Sequence, residues 1–141
     1  MIAVRRAVEG DEEGLFSLAR DFATSFQVDR AGFAAAFAQV LAAPGMHLAV
    51  AESSGALVGY VLGTSHPAFY ASGPVAWVEE IMVREDFRRQ GLGRRLMEAF
   101  EGWAAGRECR LVALATRRAA GFYQGIGYAE SATYFRKVLR P

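Results

Sequence analysis

An arginine- and glycine-rich segment at residues 88–95, Arg-Arg-Gln-Gly-Leu-Gly-Arg-Arg, has the composition of an anion site. Glycine lets a backbone pass close to a ligand, and the unpaired amides and the dipole of a helix N-terminus favour negative charge. Between Arg84 and Arg95, five arginines stand against Glu85 and Asp86, a local charge of +3 in a chain of net charge +1. The pattern therefore predicts a phosphate contact, with a ligand-free tight turn as the alternative.

Two well-known phosphate loops are excluded. A Walker loop requires Gly-Lys-Ser or Gly-Lys-Thr, and neither occurs in the sequence. A dinucleotide fingerprint requires a third glycine at the position that Leu96 occupies. The phosphate ligand must therefore be recognised by a different type of loop.

Two adjacent glutamates, Glu79 and Glu80, interrupt the apolar segment before the arginines. A carboxylate there could accept a proton from a substrate. Adjacent side chains of a strand point to opposite faces, so only one of the two is expected to face a cleft. The other is expected to lie on the surface.

Aromatic side chains mark the segment 65–74, which is predicted to be a long loop because it contains prolines and glycine. Long loops with exposed aromatic residues often line ligand sites. Phe69 and Tyr70 are therefore candidate substrate-binding residues. Alternatively, these rings fold back onto the core.

The composition limits the classes of protein to which the chain can belong. The 141 residues, with 52% hydrophobic and 22% charged, predict a single domain over 1–141 with a core that needs no disulfide. One cysteine, Cys109, and two histidines argue against a disulfide framework and against a metal site, so no metal is expected. A net charge of +1 argues against a dedicated nucleic-acid binder.

Residues 31–51 and 53–78 carry no charged side chain, but Pro44-Gly45 breaks the first and several Ser, Gly and Pro residues break the second. Neither segment suits a continuous apolar helix. Arg5 and Arg6 stand where a signal peptide would have its apolar run. The expectation is a soluble cytoplasmic protein without membrane contact.

The apolar periodicity predicts elements that alternate between strands and helices. The predicted strands are 2–8, 47–52, 56–64, 75–83 and 111–115, with one or two more in 128–139. The predicted helices start at Asp11, at Asp29 and at Arg94, with a short one over 119–124. The strand, glycine turn, helix and strand after residue 75 must cross over, which predicts an α+β fold with a mixed sheet.

Two blocks carry a family resemblance. Arg88-x-x-Gly91-x-Gly93 resembles the Arg/Gln-x-x-Gly-x-Gly/Ala pyrophosphate loop of the Gcn5-related N-acetyltransferases, and it follows a segment similar to that family's fourth strand. Residues 119–128, Ala-Ala-Gly-Phe-Tyr-Gln-Gly-Ile-Gly-Tyr, are similar to the family's short helix and its closing turn. The sequence is identified as a small member of this family. It departs at Thr116, where many members carry Asn, and its N-terminal half has no recognisable substrate signature.

The resemblance implies a mainly antiparallel sheet, splayed between strands four and five, with acetyl-CoA in the gap. It implies that backbone amides hold the pyrophosphate, that strand four pairs with the pantetheine, and that Thr116 adds a polar contact. The residues assigned to the cosubstrate are Ile81, Val83, Arg88, Arg89, Gly91, Gly93, Arg94 and Thr116.

Catalysis by this family requires a base and an acid, because an amine with a pKa of about 10 must lose a proton and a thiolate leaves more readily when protonated. The resemblance assigns the acid to Tyr123. It favours Glu79 as the base, from the alternation of residues 77, 79 and 81, whereas a β-bulge would promote Glu80.

The predicted function is direct transfer of acetyl from acetyl-CoA to a primary amine of a small molecule. The acidic pair Glu79-Glu80 resembles that of polyamine-acetylating members, which suggests a cationic acceptor. Acetylation of a protein or peptide, and a non-catalytic acyl-CoA sensor, are the alternatives. Many relatives are dimers, so a homodimer through residues 134–139 is also expected.

Overall fold

The computed structural model describes residues 1–23 and 26–140. The strands are β1 (Ile2–Arg6), β2 (Met46–Ser53), β3 (Ala56–Ala68), β4 (Gly73–Val83) and β5 (Val112–Ala113). The helices are α1 (Glu12–Phe22), α2 (Arg30–Ala42), α3 (Leu92–Gly106) and α4 (Ala120–Gly125). Among the described residues, no helix combines the length and apolar character that crossing a bilayer requires.

The five strands form one mixed sheet in the order β1-β2-β3-β4-β5. The first three pairings are antiparallel and β4 pairs with β5 in parallel, which confirms the predicted α+β fold with a mixed sheet. β4 and β5 share only two residue pairs, Ala76 with Val112 and Trp77 with Ala113. Beyond Trp77 the two strands separate, which is the splay that the resemblance implied.

Two apolar clusters cover the two faces of the sheet, because successive strand residues point to opposite sides. On β2, Ala49 and Ala51 belong to the cluster under α3, whereas Leu48 and Val50 belong to the cluster under α1 and α2. Under α3 the largest fully buried side chains are Leu92, Leu96, Met97 and Phe100. The sheet is therefore buried on both faces.

Local sequence explains where α2 begins and how α1 is anchored. The carboxylate of Asp29 accepts a hydrogen bond from the Gly32 amide at 2.7 Å, so Asp29 caps α2 as predicted. Asp11, which precedes α1, accepts a hydrogen bond at 2.8 Å and one at 2.9 Å from the Arg5 guanidinium. This ion pair lowers the pKa of Asp11 and ties α1 to β1.

Two of the predicted segments were wrong. Residues 65–74 are not a long loop: β3 runs to Ala68, β4 begins at Gly73, and Pro67 pairs opposite Pro74. Both prolines sit at the end of the hairpin, where the loss of an N–H donor is tolerated. Residues 128–139 form no strand within the described part of the chain. β5 has only two residue pairs with β4, so it offers little ladder for a further strand.

A close approach between β3 and α3 predicts a large effect on stability. A Cβ atom on Gly63 would lie 2.3 Å from Cε1 of Phe100 and 2.6 Å from the carbonyl oxygen of Trp77. We expect Gly63→Ala to lower the free energy of unfolding by roughly 1–3 kcal/mol, because a packed core resists extra volume. Urea unfolding measures this change.

The matched control is Gly102→Ala in α3, where an added Cβ meets no atom within 4 Å. This variant should be stabilised by about 0.5–1 kcal/mol, because alanine favours a helix interior over glycine. Equal unfolding midpoints for the two variants would contradict the close packing at Gly63.

Candidate active site

A cavity of about 1090 Å³ opens where β4 and β5 separate. One wall comes from α1, α2 and the described residues between them, and the other from β4, residues 114–119 and Tyr123 of α4. Glu79, Glu80, Ile81 and Thr116 also line it. The splay of the sheet therefore brings the acidic pair and the tyrosine to one cavity.

The glycine loop forms the N-terminus of α3. Gly91 is the N-cap residue with φ 79° and ψ 9°, a left-handed conformation that favours glycine. Arg89, two residues before, also has a positive φ of 66°. Gly91 has no side chain to cap the first helical amides, so they are available to an anion. An uncapped helix N-terminus of this kind is compatible with a bound anion.

The arginines around this loop have different partners. The Arg84 guanidinium pairs with Asp86 at 2.7 Å, which offsets its charge locally. Arg88 donates from Nε to the carbonyl oxygen of Val83 at 2.9 Å, and Arg95 donates to that of Ile2 at 3.0 Å. Arg89 and Arg94 are exposed. Among the described residues, Arg88, Arg89, Arg94 and Arg95 form no salt bridge, so their charges contribute to the positive potential at the loop.

Helix α4 packs directly on the glycine loop. A Cβ atom on Gly93 would lie 3.2 Å from Cζ of Phe122, so the absence of a side chain lets the two elements meet. The ring of Phe122 contacts that of Tyr123 edge to face, with centroids 4.9 Å apart. Phe122 thereby connects the first turn of α3 with Tyr123, which lines the cavity. Tyr123 is only 8% exposed, and burial raises the pKa of its phenol.

The glutamates lie at a β-bulge. Leu62 pairs with Glu80 and Gly63 pairs with Val78, which leaves Glu79 as the extra residue of β4. Val78 and Ile81 both contact the cluster under α3, although a regular strand would place residues three apart on opposite faces. The alternation that favoured Glu79 is therefore interrupted at Glu79 itself.

The two carboxylates have different surroundings. Glu79 is exposed, whereas Glu80 is partly buried and accepts a hydrogen bond from the Tyr60 hydroxyl at 2.7 Å. Burial raises the pKa of Glu80, the charge of Glu79 raises it further, and the Tyr60 hydrogen bond opposes both. A carboxylate held in this way is better matched to proton transfer near neutral pH than an exposed one.

Two other candidates on this side have structural partners. Thr116 accepts a hydrogen bond through Oγ1 from the Ala119 amide at 3.1 Å, just before α4. The Val83 carbonyl oxygen is taken by Arg88, while Ile81 lines the cavity. Thr116 therefore helps to fix α4 at the cavity wall.

Phe69 and Tyr70 lie outside this cavity. They occupy the turn between β3 and β4 and are 104% and 76% exposed. Their predicted role in substrate binding finds no support in this placement. Besides Tyr123, the aromatic residues that do line the cavity are Phe22, Phe26, Phe33, Phe37, Tyr60, Trp77 and Tyr134. Their helical or alternating spacing is also that of core residues, so the sequence alone did not single them out.

A family model for the acetyltransferase (GNAT) family matches residues 13–128. The chain belongs to the GNAT family. A search of curated proteins finds no significant match. The match spans the elements from α1 through α4, including the glycine loop, both glutamates and Tyr123.

Solved structures share the GNAT fold over almost the whole chain. A transcriptional regulator from Bacillus halodurans C-125 is 23% identical, with 99% of this chain and 100% of that chain covered and a TM-score of 0.89. Glucosamine-6-phosphate N-acetyltransferase from Arabidopsis thaliana is 18% identical, with 99% of each chain covered and a TM-score of 0.89. The aminoglycoside N-acetyltransferase AAC(6')-Iy in complex with CoA is 21% identical, with 97% and 95% covered and a TM-score of 0.82.

Family membership implies acyl-CoA as cosubstrate, and the residues of this GNAT protein fit it. The first amides of α3 are uncapped at Gly91, and arginines surround them. On the side of the splay, β4 has no strand partner beyond Trp77 among the described residues. A phosphate group at the loop and an extended chain along β4 are both compatible with this arrangement.

Proposed function

We propose that this GNAT protein transfers an acetyl group from acetyl-CoA directly to a primary amine of a small molecule. The observation that carries the proposal is that Tyr123, Glu79 and Glu80 line one cavity beside an uncapped helix N-terminus. The residues proposed as base and acid thus share one cavity, and Phe122, next to Tyr123, packs on Gly93 in the first turn of the helix that carries the proposed phosphate site.

The glycine loop would hold the cosubstrate. Backbone amides of Arg89, Gly91, Gly93 and Arg94 would contact the pyrophosphate, with charge-assisted contacts from the guanidinium groups of Arg88, Arg89 and Arg94. Ile81 and Val83 would pair with the pantetheine, and the Arg88 side chain would have to release the Val83 carbonyl for that pairing. Acetyl-CoA supplies the acetyl group and a thiolate leaving group.

The bulge supports Glu80 as the base. Glu80 is partly buried with a raised pKa and is oriented by Tyr60, whereas Glu79 is exposed. Glu80 would accept the proton of the ammonium group, and Glu79 would attract that group and strengthen the basicity of Glu80. Tyr123 would donate its phenolic proton to the departing sulfur. Glu79 as the base remains the alternative.

A thiol-release assay tests the function. The protein is mixed with acetyl-CoA and a panel of amines, and free CoA is measured. Amine-dependent release supports the transferase. Acetyl-CoA binding without release by any amine would indicate the acyl-CoA sensor instead. Preference for peptides over every small amine would indicate protein or peptide acetylation.

The two glutamates give distinct expectations for pH dependence. Burial and the charge of Glu79 raise the pKa of Glu80. The pKa that governs the fall of kcat at acidic pH, the acidic limb of the pH profile, should therefore lie above the ordinary glutamate pKa of about 4.5. Glu80→Gln should lower kcat by roughly 10²–10⁴-fold and abolish this limb. Glu79→Gln removes the neighbouring charge, so it should retain activity and move the limb to lower pH. The measurement is the pH profile of kcat.

The reverse pattern would identify Glu79 as the base. In that case Glu79→Gln would be inactive, and Glu80→Gln would keep both the activity and the limb. Full activity in both single variants would show that neither carboxylate transfers the proton, and the expectation of a cationic acceptor would lose its basis.

A further inference from the structure

The wall of the cavity opposite β4 is apolar along its length. Among the described residues of α1, α2 and the segment between them, every side chain that lines the cavity is apolar. The larger ones are Leu15, Phe22, Phe26, Phe33, Phe37 and Val40. Cavity walls of this kind bind ligands through apolar contact, with polar groups only at a few points.

Part of this wall is accessible, although Leu15 and Phe37 belong to the apolar cluster under α1 and α2. Phe26 is 50% exposed and Phe22 is 37% exposed, although both are large apolar side chains. Helix α2 has no charged residue after Arg30, yet Phe37 is its one buried residue. Exposed apolar surface concentrated in a cavity is typical of a site that a ligand covers.

The apolar wall leads directly to the proposed base. The ring of Phe22 meets that of Tyr60 edge to face with centroids 6.4 Å apart, and the Tyr60 hydroxyl donates to Glu80. A ligand that extends from Glu80 along this wall meets a carboxylate at one end and aromatic rings along its body. The geometry therefore suits an amphipathic amine.

A second positive charge on the ligand would have few acidic side chains to pair with in this cavity. Within the described lining, the acidic side chains are Glu79 and Glu80, and the other charged ones are Arg117, Arg118 and Arg136. A polyamine or an aminoglycoside carries several ammonium groups, and these would lie against apolar rings or near guanidinium groups. Burial of an unpaired charge is costly, so the cavity disfavours such acceptors.

We propose that the acceptor is a monocationic primary amine with an apolar body of about the size of an aromatic ring. Its amino group would lie at Glu79 and Glu80, and its body along the rings of Phe22, Phe26 and Phe33. This inference rests on the proposed function, because it names the acceptor of the same reaction.

The test compares kcat/KM for four amines in the thiol-release assay: 2-phenylethylamine, ethylamine, spermidine and the aminoglycoside neamine. We expect 2-phenylethylamine to exceed ethylamine by about 100-fold or more, because each buried methylene group alone changes kcat/KM by about tenfold or more. It should also exceed spermidine and neamine.

Two variants connect this preference to the wall. Phe26→Ala should lower kcat/KM for 2-phenylethylamine by about tenfold and leave that for ethylamine unchanged, because only the larger amine reaches the ring. The matched control is Phe135→Ala, which removes an 86% exposed ring outside the cavity and should change neither value. Ala36→Glu, which adds a carboxylate to the wall, should reduce the preference for 2-phenylethylamine over spermidine.

Failure of the inference differs from failure of the proposed function. Higher kcat/KM for spermidine, neamine or a peptide overturns the apolar acceptor, while the acetyltransferase activity stands. If no amine releases CoA, calorimetry with 2-phenylethylamine and the protein–CoA complex decides. Binding that Phe26→Ala weakens supports the apolar amine site without the reaction, and absence of binding overturns both.

Discussion

Replacing Gly91 by glutamate is expected to weaken acetyl-CoA binding by about 100-fold or more. The carboxylate would stand at the N-terminus of α3, where the pyrophosphate is proposed to bind, and like charges placed together cost several kcal/mol. An added Cβ at Gly91 meets no atom within 4 Å, so the fold should survive despite a positive φ of 79°. Calorimetric titration with acetyl-CoA measures the loss.

Gly102→Glu is the matched control for this prediction. It makes the same change in charge on the same helix, at a glycine that also has open space around it. Its affinity for acetyl-CoA should equal that of the unmodified protein. Gly91→Gln, which adds similar volume without charge, should bind more tightly than Gly91→Glu. Unchanged affinity in a folded Gly91→Glu variant would place the pyrophosphate elsewhere.

Tyr123→Phe is expected to lower kcat by roughly 10²–10⁴-fold, the usual cost of losing a general acid. The phenyl ring keeps its edge-to-face contacts with Phe122 and Tyr128, so only the proton donor is removed. Affinity for acetyl-CoA should change little. The measurement is kcat with a saturating amine, together with the Kd for acetyl-CoA.

Tyr128→Phe provides the control for the loss of a hydroxyl. Tyr128 donates to a carboxylate oxygen of Glu101 at 2.6 Å and lies outside the cavity lining, so its variant should lose a hydrogen bond and keep kcat. If Tyr123→Phe keeps full kcat, protonation of the thiolate belongs to water or to another group.

Sequence reasoning succeeded where the chemistry demands particular residues at a particular spacing. The turn before α3 could be predicted because glycines there precede a segment of helical apolar periodicity, and the mixed sheet followed from the crossover. The family and the fold are confirmed. The roles of the glycines, of Tyr123 and of the glutamates stay predictions.

The bulge at Glu79 could not be predicted from β4 alone. The placement of Val78 and Ile81 on the same face depends on the register with β3, where two residues, Leu62 and Gly63, lie opposite the three residues 78–80. Similarly, Pro67 and Pro74 predicted a loop over 65–74, although the hairpin ladder accommodates both prolines and extends β3 to Ala68. In each case the pairing with the neighbouring strand, rather than the local sequence propensity, determines the structure.

The apolar wall of the cavity could not be predicted from the sequence for a different reason. Phe33 and Phe37 follow the helical spacing of core residues, and the sequence does not distinguish a face covered by protein from a face left for a ligand. Only the arrangement of α1 and α2 over the separating strands shows which rings stay exposed.

The two-pair ladder between β4 and β5 also determines how the molecule opens locally. β3 and β4 share ten residue pairs, whereas β5 shares two with β4, so the region from β5 to α4 is held to the sheet by a short ladder. Such regions undergo sub-global unfolding at a lower free energy than the rest of a domain. A ligand that bridges the glycine loop and β4 would therefore raise the native population of the segment that carries Tyr123. Protection of its amide protons from exchange then becomes a property of the complex more than of the free chain.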